Sequence, residues 1–166
     1  MTQDRPNYQQ RLVAGAVAVV AVLSAYRSLA GRPKIVSLTV PAANLRLALA
    51  DTADTRAVGL SNRDTMPYDG LLLQWDVPGR HPIWMSGMRF PLDLVWVDGA
   101  GEVVAVLADV PPCTPAPCPL YEPAGSEKST AVLELPAGRA ATYGLTVGAV
   151  ISEDSNGRVG TPPRHF

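Results

Sequence analysis

Charge is scarce in this chain of 166 residues: 17% are Asp, Glu, Lys or Arg, and the only lysines are Lys34 and Lys128. No basic cluster occurs. Affinity for nucleic acid comes mainly from neutralised phosphates, so a nucleic-acid partner does not fit. Histidine is limited to His81 and His165, so there is no metal-spaced His pair. The chain also lacks a Gly-x-Ser-x-Gly elbow, a phosphate-binding glycine loop and a dinucleotide fingerprint. These absences remove the common nucleophile, nucleotide and zinc chemistries, and no metal or cofactor is expected. There are two cysteines, Cys113 and Cys118, and no His or further Cys nearby completes a tetrahedral site. No internal repeat is visible.

What is present is ample core material, with 47% hydrophobic residues, cut by 16 prolines and 14 glycines. Length favours one domain, and the Pro/Gly content favours many turns over long helices. The first 31 residues stand apart. Leu12 to Ala25 carries no charge, Arg5 and Arg11 precede it, and Ser28-Leu29-Ala30 follows with small residues suited to cleavage. These 14 residues would span about 21 Å as a helix, short of the roughly 30 Å hydrocarbon core. Extension over residues 12–30 reaches further but includes Arg27. Residues 1–31 therefore read as an N-terminal hydrophobic helix, either a cleaved signal peptide or a single membrane anchor. In both cases the domain is exported. Outside residues 1–31 the chain has 11 basic and 14 acidic residues, a mild acidic excess.

Six prolines between Pro111 and Pro123 surround the two cysteines. In an oxidising compartment a pair five residues apart can close a small disulfide ring; two free thiols are the alternative.

The rest reads as mainly β. Strands are expected at Ile35–Val40, Leu45–Leu49 with the leucines inward, Leu71–Trp75, Ile83–Met85, Leu94–Val97, Glu102–Val110, Thr130–Leu135 and Val147–Ile151. The strands at 94–97 and 102–110 are apolar on both faces and are expected in the centre of the core. Thr52 can cap a short helix that Gly59 stops, and Asp51 and Asp54 are explained by capping rather than by acid–base work. A second short helix follows Pro136-Ala137-Gly138. About eight short strands and two short helices predict a two-sheet β-sandwich or small barrel-like sheet over residues 32–153. The connections are too short for a regular parallel βαβ fold. Residues 154–166 are polar and read as a disordered tail.

These elements carry an ordered series of motifs. They are Leu49-Ala50-Asp51-Thr52 with Arg56 and Gly59-Leu60; Arg63; Gly70-Leu71-Leu72; Trp84-Met85 with Pro91-Leu92-Asp93; Pro112-Cys113 to Cys118-Pro119-Leu120-Tyr121; and Leu135-Pro136-Ala137-Gly138 with Gly144-Leu145 and Val147-Gly148. The series resembles the domain of unknown function 192 family (DUF192) from about Leu45 to Ile151. The resemblance implies a compact, mostly β, often exported domain, and no settled activity. Two positions depart from the family's habit: Ser86 stands where lysine is common, and Ala149 where aspartate is common.

The candidate site residues are Trp84, Met85, Asp93, Arg63 and Arg56. Asp93 enters an apolar strand and needs partners; Arg56, Arg63 and Arg89 are available to form a buried ion pair, and a ligand-orienting or catalytic role is the other reading. Trp84 and Met85 are either core or a binding platform for a sugar ring or another flat face. His81 reads as a solvated loop residue. Three functions fit: an exported cell-envelope binding or accessory domain for a saccharide, cell-wall or protein ligand; a structural or assembly factor without a small ligand; and a hydrolase or lyase using Asp93 with an arginine. Residues 12–30, if uncleaved, would add the membrane as a partner.

Overall fold

The computed structural model describes residues 34–153. The hydrophobic leader (1–31) and the polar tail (154–166) lie outside the described residues. Among the described residues nine strands and two helices form: β1 (Ile35–Val40), β2 (Ala43–Ala50), α1 (Ala53–Val58), β3 (Gly70–Gly79), β4 (Ile83–Trp84), β5 (Leu92–Val97), β6 (Val103–Val110), β7 (Leu120–Tyr121), β8 (Ser129–Pro136), α2 (Arg139–Thr142) and β9 (Ser152–Glu153). The fold is mainly β, as expected. In β2, Leu45 and Leu47 are buried and Arg46 is exposed, the alternation a pleated strand imposes. Helix α1 begins at Thr52, whose hydroxyl accepts from the Thr55 amide while Thr55 Oγ1 accepts from the Thr52 amide. Gly59 ends it. Asp54 sits in the first turn, but Asp51 pairs with Lys34 rather than capping.

One seven-strand sheet has the order β6-β5-β8-β3-β2-β1-β9, and β4 and β7 make a separate ribbon. Neighbours in the large sheet are antiparallel except β2 and β3, which are parallel. That single parallel pair does not make a regular βαβ fold. The connection from Asp51 to Asp69 exceeds the dozen or so residues a crossover needs, although only α1 within it is helical. Strand β6 departs from expectation. It lies at the sheet edge and is largely half-buried, whereas β5 and β8 are buried along nearly their whole length.

The sheet curls into a half-barrel. Val36 and Leu38 of β1 share one buried cluster with Val103 of β6, although four strands lie between them in the sheet order. Residues 149–153 tie the two edges. Val103 N donates to Ala149 O (2.8 Å) and Ile151 N to Gly101 O (2.8 Å); Ser152 and Glu153 then pair with Thr39 and Leu38. The strand expected at Val147–Ile151 does not form: only an isolated bridge of Val150 to Glu102 falls within it, because Ala149 and Ile151 bond single groups at the β6 end, and the strand itself comes later, at Ser152–Glu153. Gly101 is required at this seam: its φ is +84°, and a Cβ would meet the Ile151 carbonyl oxygen at 2.5 Å.

Two apolar faces result. The concave face packs Leu38, Leu47, Leu72, Val95, Leu133 and Leu135. The convex face packs Leu71, Leu73, Leu94, Trp96 and Val132 beneath Leu60, Ile83, Met85 and Met88. These covering residues come from the segments around α1 and β4, so both sides of the central strands are dry.

Cys113 and Cys118 are disulfide-bonded, with Cα atoms 5.7 Å apart. The loop contains cis peptides at Thr114–Pro115 and Ala116–Pro117. It docks through Cys113 N, which donates to Met85 O (3.1 Å), and it delivers β7 alongside β4, with Leu120 opposite Trp84. The ring is short, so reduction is expected to cost only about 2 kcal/mol. Urea unfolding with and without a phosphine reductant measures this; a loss above about 4 kcal/mol would mean that the ring holds the domain together and does not merely shape one loop.

Candidate functional site

Consecutive residues of a strand face opposite ways. In β4 and just beyond it, this divides the Trp84-Met85 pair. Met85 is fully buried in the convex core, whereas Trp84 turns outward and is 55% exposed. Across the ribbon, Leu120 is 62% exposed. With Val58 at the end of α1, these side chains form an apolar lip around a cleft of about 220 Å³. Trp75, Met88 and Gly59 contribute further to its wall.

Glu134 also lines this cleft. It lies on β8 between Leu71 of β3 and Leu94 of β5 and is only 6% exposed. Its Oε2 has no hydrogen-bond partner among the described residues. Burial pushes its carboxyl up to about 7, and no neighbouring cation offsets that shift. Gly59 lies against it: a Cβ there would come within 4.0 Å of Oε2. A buried polar group left without a partner is costly; among the described residues only this carboxyl and the Thr130 hydroxyl are in that position, and only the carboxyl is ionisable.

Sequence reasoning missed Glu134. Leu133 and Leu135 face inward, as expected, which assigns Glu134 to the other face of the strand. That face is dry, because Leu60 and Met88 cover it. One signal was available: Val132, on the same face as Glu134, is apolar, so β8 reads as buried on both sides with a single acid in it.

Arg56 is the second charged group of the cleft. Its Nη1 donates to Gln74 O (2.7 Å), and the guanidinium lies 5.1 Å from the centre of the Trp75 ring. Trp75 stacks on His81, with ring centroids 3.9 Å apart and planes 10° from parallel. His81 is therefore packed rather than solvated, and burial holds its imidazole below the usual histidine range. The Trp96 indole N–H donates to His81 O (3.1 Å), fixing a residue whose φ is +44°.

Asp93 takes no part in the cleft. It is 0% exposed, and neither oxygen meets an arginine. Oδ1 accepts from Asp109 N (2.9 Å) and Oδ2 from Ala140 N (2.8 Å). The expected ion pair is replaced by two backbone amides, for a local reason. Between the pairs Leu92↔Val110 and Leu94↔Leu107, β6 carries an extra residue, and Asp109 has φ +52°. Helix α2 begins at Gly138, which has no side chain to cap it. Asp93 supplies the missing acceptor to both. Arg63 is exposed and does not line the cleft, and Arg89 pairs with Asp64 at the surface. Of the five sequence candidates, the structure thus brings Trp84 and Arg56 to one cleft and leaves Met85, Asp93 and Arg63 outside it. Among the described residues, no group of His, Cys, Asp or Glu is placed to hold a metal ion.

The sequence profile of DUF192, described as an uncharacterised ACR, matches residues 36–152. The fold is similar to a candidate transcription regulator from Sinorhizobium meliloti 1021, with 24% identity, a TM-score of 0.62, and coverage of 74% of this chain and 94% of that one. It is also similar to a protein of unknown function from Novosphingobium aromaticivorans DSM 12444, with 26% identity, a TM-score of 0.60, and coverage of 74% and 93%. No curated protein matches the chain significantly.

Proposed function

Starting from the premise that the chain belongs to the DUF192 family, we propose that it is an exported binding module for a small ligand with a flat, weakly polar face, a saccharide or cell-wall fragment foremost. The observation that carries this reading is that the exposed Trp84 indole and the unpartnered carboxyl of Glu134 line one cleft. An indole face suits the C–H face of a sugar ring, and a single buried polar group gives orientation. The disulfide supports an oxidising compartment, and the leader over residues 1–31 supports export as a secreted, periplasmic or membrane-anchored protein. No helix among the described residues is long and apolar enough to cross a membrane, and residues 12–30 lie outside them.

The other readings have less support. A hydrolase or lyase built on Asp93 needs that carboxyl to reach substrate, and both its oxygens are held by buried amides. Glu134 has a value suited to general acid–base work, but among the described residues it is the only acid lining the cleft, and glycoside hydrolysis ordinarily uses two carboxyl groups. A structural factor without a ligand would favour a buried Trp84. The Sinorhizobium relative's description as a transcription regulator finds no echo in the charge pattern here, which has no basic cluster.

The test is a tryptophan-fluorescence titration of the domain with N-acetylglucosamine oligosaccharides. Trp84→Ala is expected to weaken binding by roughly tenfold or more. Because Trp84 is exposed, the substitution should change stability by no more than about 1 kcal/mol. No response at millimolar sugar, or an unchanged response in the variant, would refute the platform.

A further inference from the structure

The polar half of the cleft specifies more than a flat face. We propose that Glu134 is the recognition residue for a protonated amine, so that the preferred ligand class is an amino sugar with a free ammonium group. The inference rests on the binding reading above and names the charge its ligand carries. Glu134 is buried, unpartnered at Oε2 and placed on the cleft wall. An ammonium brought to it would form the ion pair that the protein itself does not supply, in a site where water screens little. Arg56, the only other charged group lining the cleft among the described residues, does not fill that role. Its guanidinium is committed to the Gln74 carbonyl and the Trp75 ring. The lip favours the same charge, because the face of the exposed Trp84 indole attracts cations. A neutral sugar would engage the indole but leave the carboxyl to remain protonated and donate a single hydrogen bond. A carboxylate ligand would face like charge whenever Glu134 ionises.

The experiment compares two probes of equal length near neutral pH, a glucosamine oligosaccharide and its N-acetylated counterpart, by isothermal calorimetry. The free amine is expected to bind roughly tenfold tighter to the wild-type domain. In Glu134→Gln that preference should fall to about twofold or less, with the acetylated probe little affected. A second measurement needs no variant: the ionisation of Glu134 followed by carbon NMR. The amine probe should shift its midpoint downward, and the acetylated probe should leave it in place or raise it. An equal or reversed preference, a preference that survives in Glu134→Gln, or an unmoved midpoint overturns the amine assignment while Trp84-dependent binding still stands. Failure of both probes to bind overturns the assignment together with the binding reading.

Discussion

Glu134→Gln is expected to stabilise the domain above neutral pH by up to about 3 kcal/mol. The carboxyl has an ordinary value of 4.5 in the unfolded chain and is pushed up to about 7 in the fold. Between those values the folded protein holds a proton that the unfolded chain has released. Folding stability from this group therefore falls as pH rises from about 4.5 to about 7, then stays at the lower level. The gap corresponds to about 3 kcal/mol. Glutamine is neutral throughout, so the variant should lack this slope and gain most over the wild type at pH 8. At pH 4 the two proteins should converge. Other carboxyls add slopes of their own; the Lys34 contact, for instance, draws Asp51 downward. The measured quantity is therefore the difference between variant and wild type in urea unfolding across this range. A difference that does not grow with pH would show that Glu134 is not held in a dry site. If the amine assignment holds, the same substitution gains stability while losing its ligand preference, a trade of the kind seen where function requires an uncompensated group.

Asp93→Ala is expected to act in the opposite direction, costing about 4 kcal/mol. It strips the acceptor from two amides, those of Asp109 and Ala140, and each buried donor left unpaired costs roughly 1–3 kcal/mol. The vacated volume in a 0%-exposed position adds to that. Asp93→Asn keeps one carbonyl oxygen and sets an NH2 group against the other amide, so about half the loss should follow. Native-state hydrogen exchange should quicken at Asp109 and Ala140 in both variants. A stability loss under about 0.5 kcal/mol would remove the structural account of this residue. In whatever fraction stays folded, ligand affinity should be unchanged, because Asp93 does not line the cleft. That outcome would separate its duty from catalysis more directly than any activity screen.

Local chemistry made much of the fold legible in advance. The span of α1, from the Thr52 cap to the Gly59 stop, follows from side chains within one turn of each end. Strand β1 and the buried leucines of β2 follow from period-two alternation, which needs no knowledge of partners. The disulfide was open to reading because its two cysteines are near neighbours. The two-residue strands β7 and β9 were less accessible: they exist only because a distant strand lies beside them. The edge position of β6 was hidden for a similar reason. An apolar run reports that a strand packs, and not on how many sides.

The site divides along the same line. By itself the sequence determined which residues were chemically capable: an indole next to a thioether, an aspartate entering a strand, an arginine on a capped helix. Only the tertiary structure decided which of them share a space. The pleat of β4 sends Trp84 outward and Met85 inward. A bulge in β6 and a capless α2, both distant in sequence, claim Asp93. The covering of the convex face turns Glu134 from a solvated strand acid into a buried, unpartnered one. Alternation assigns a side chain to a face of the sheet; whether water or protein lies on that face is set by segments elsewhere in the chain, and the ionisation of a carboxyl depends on that difference.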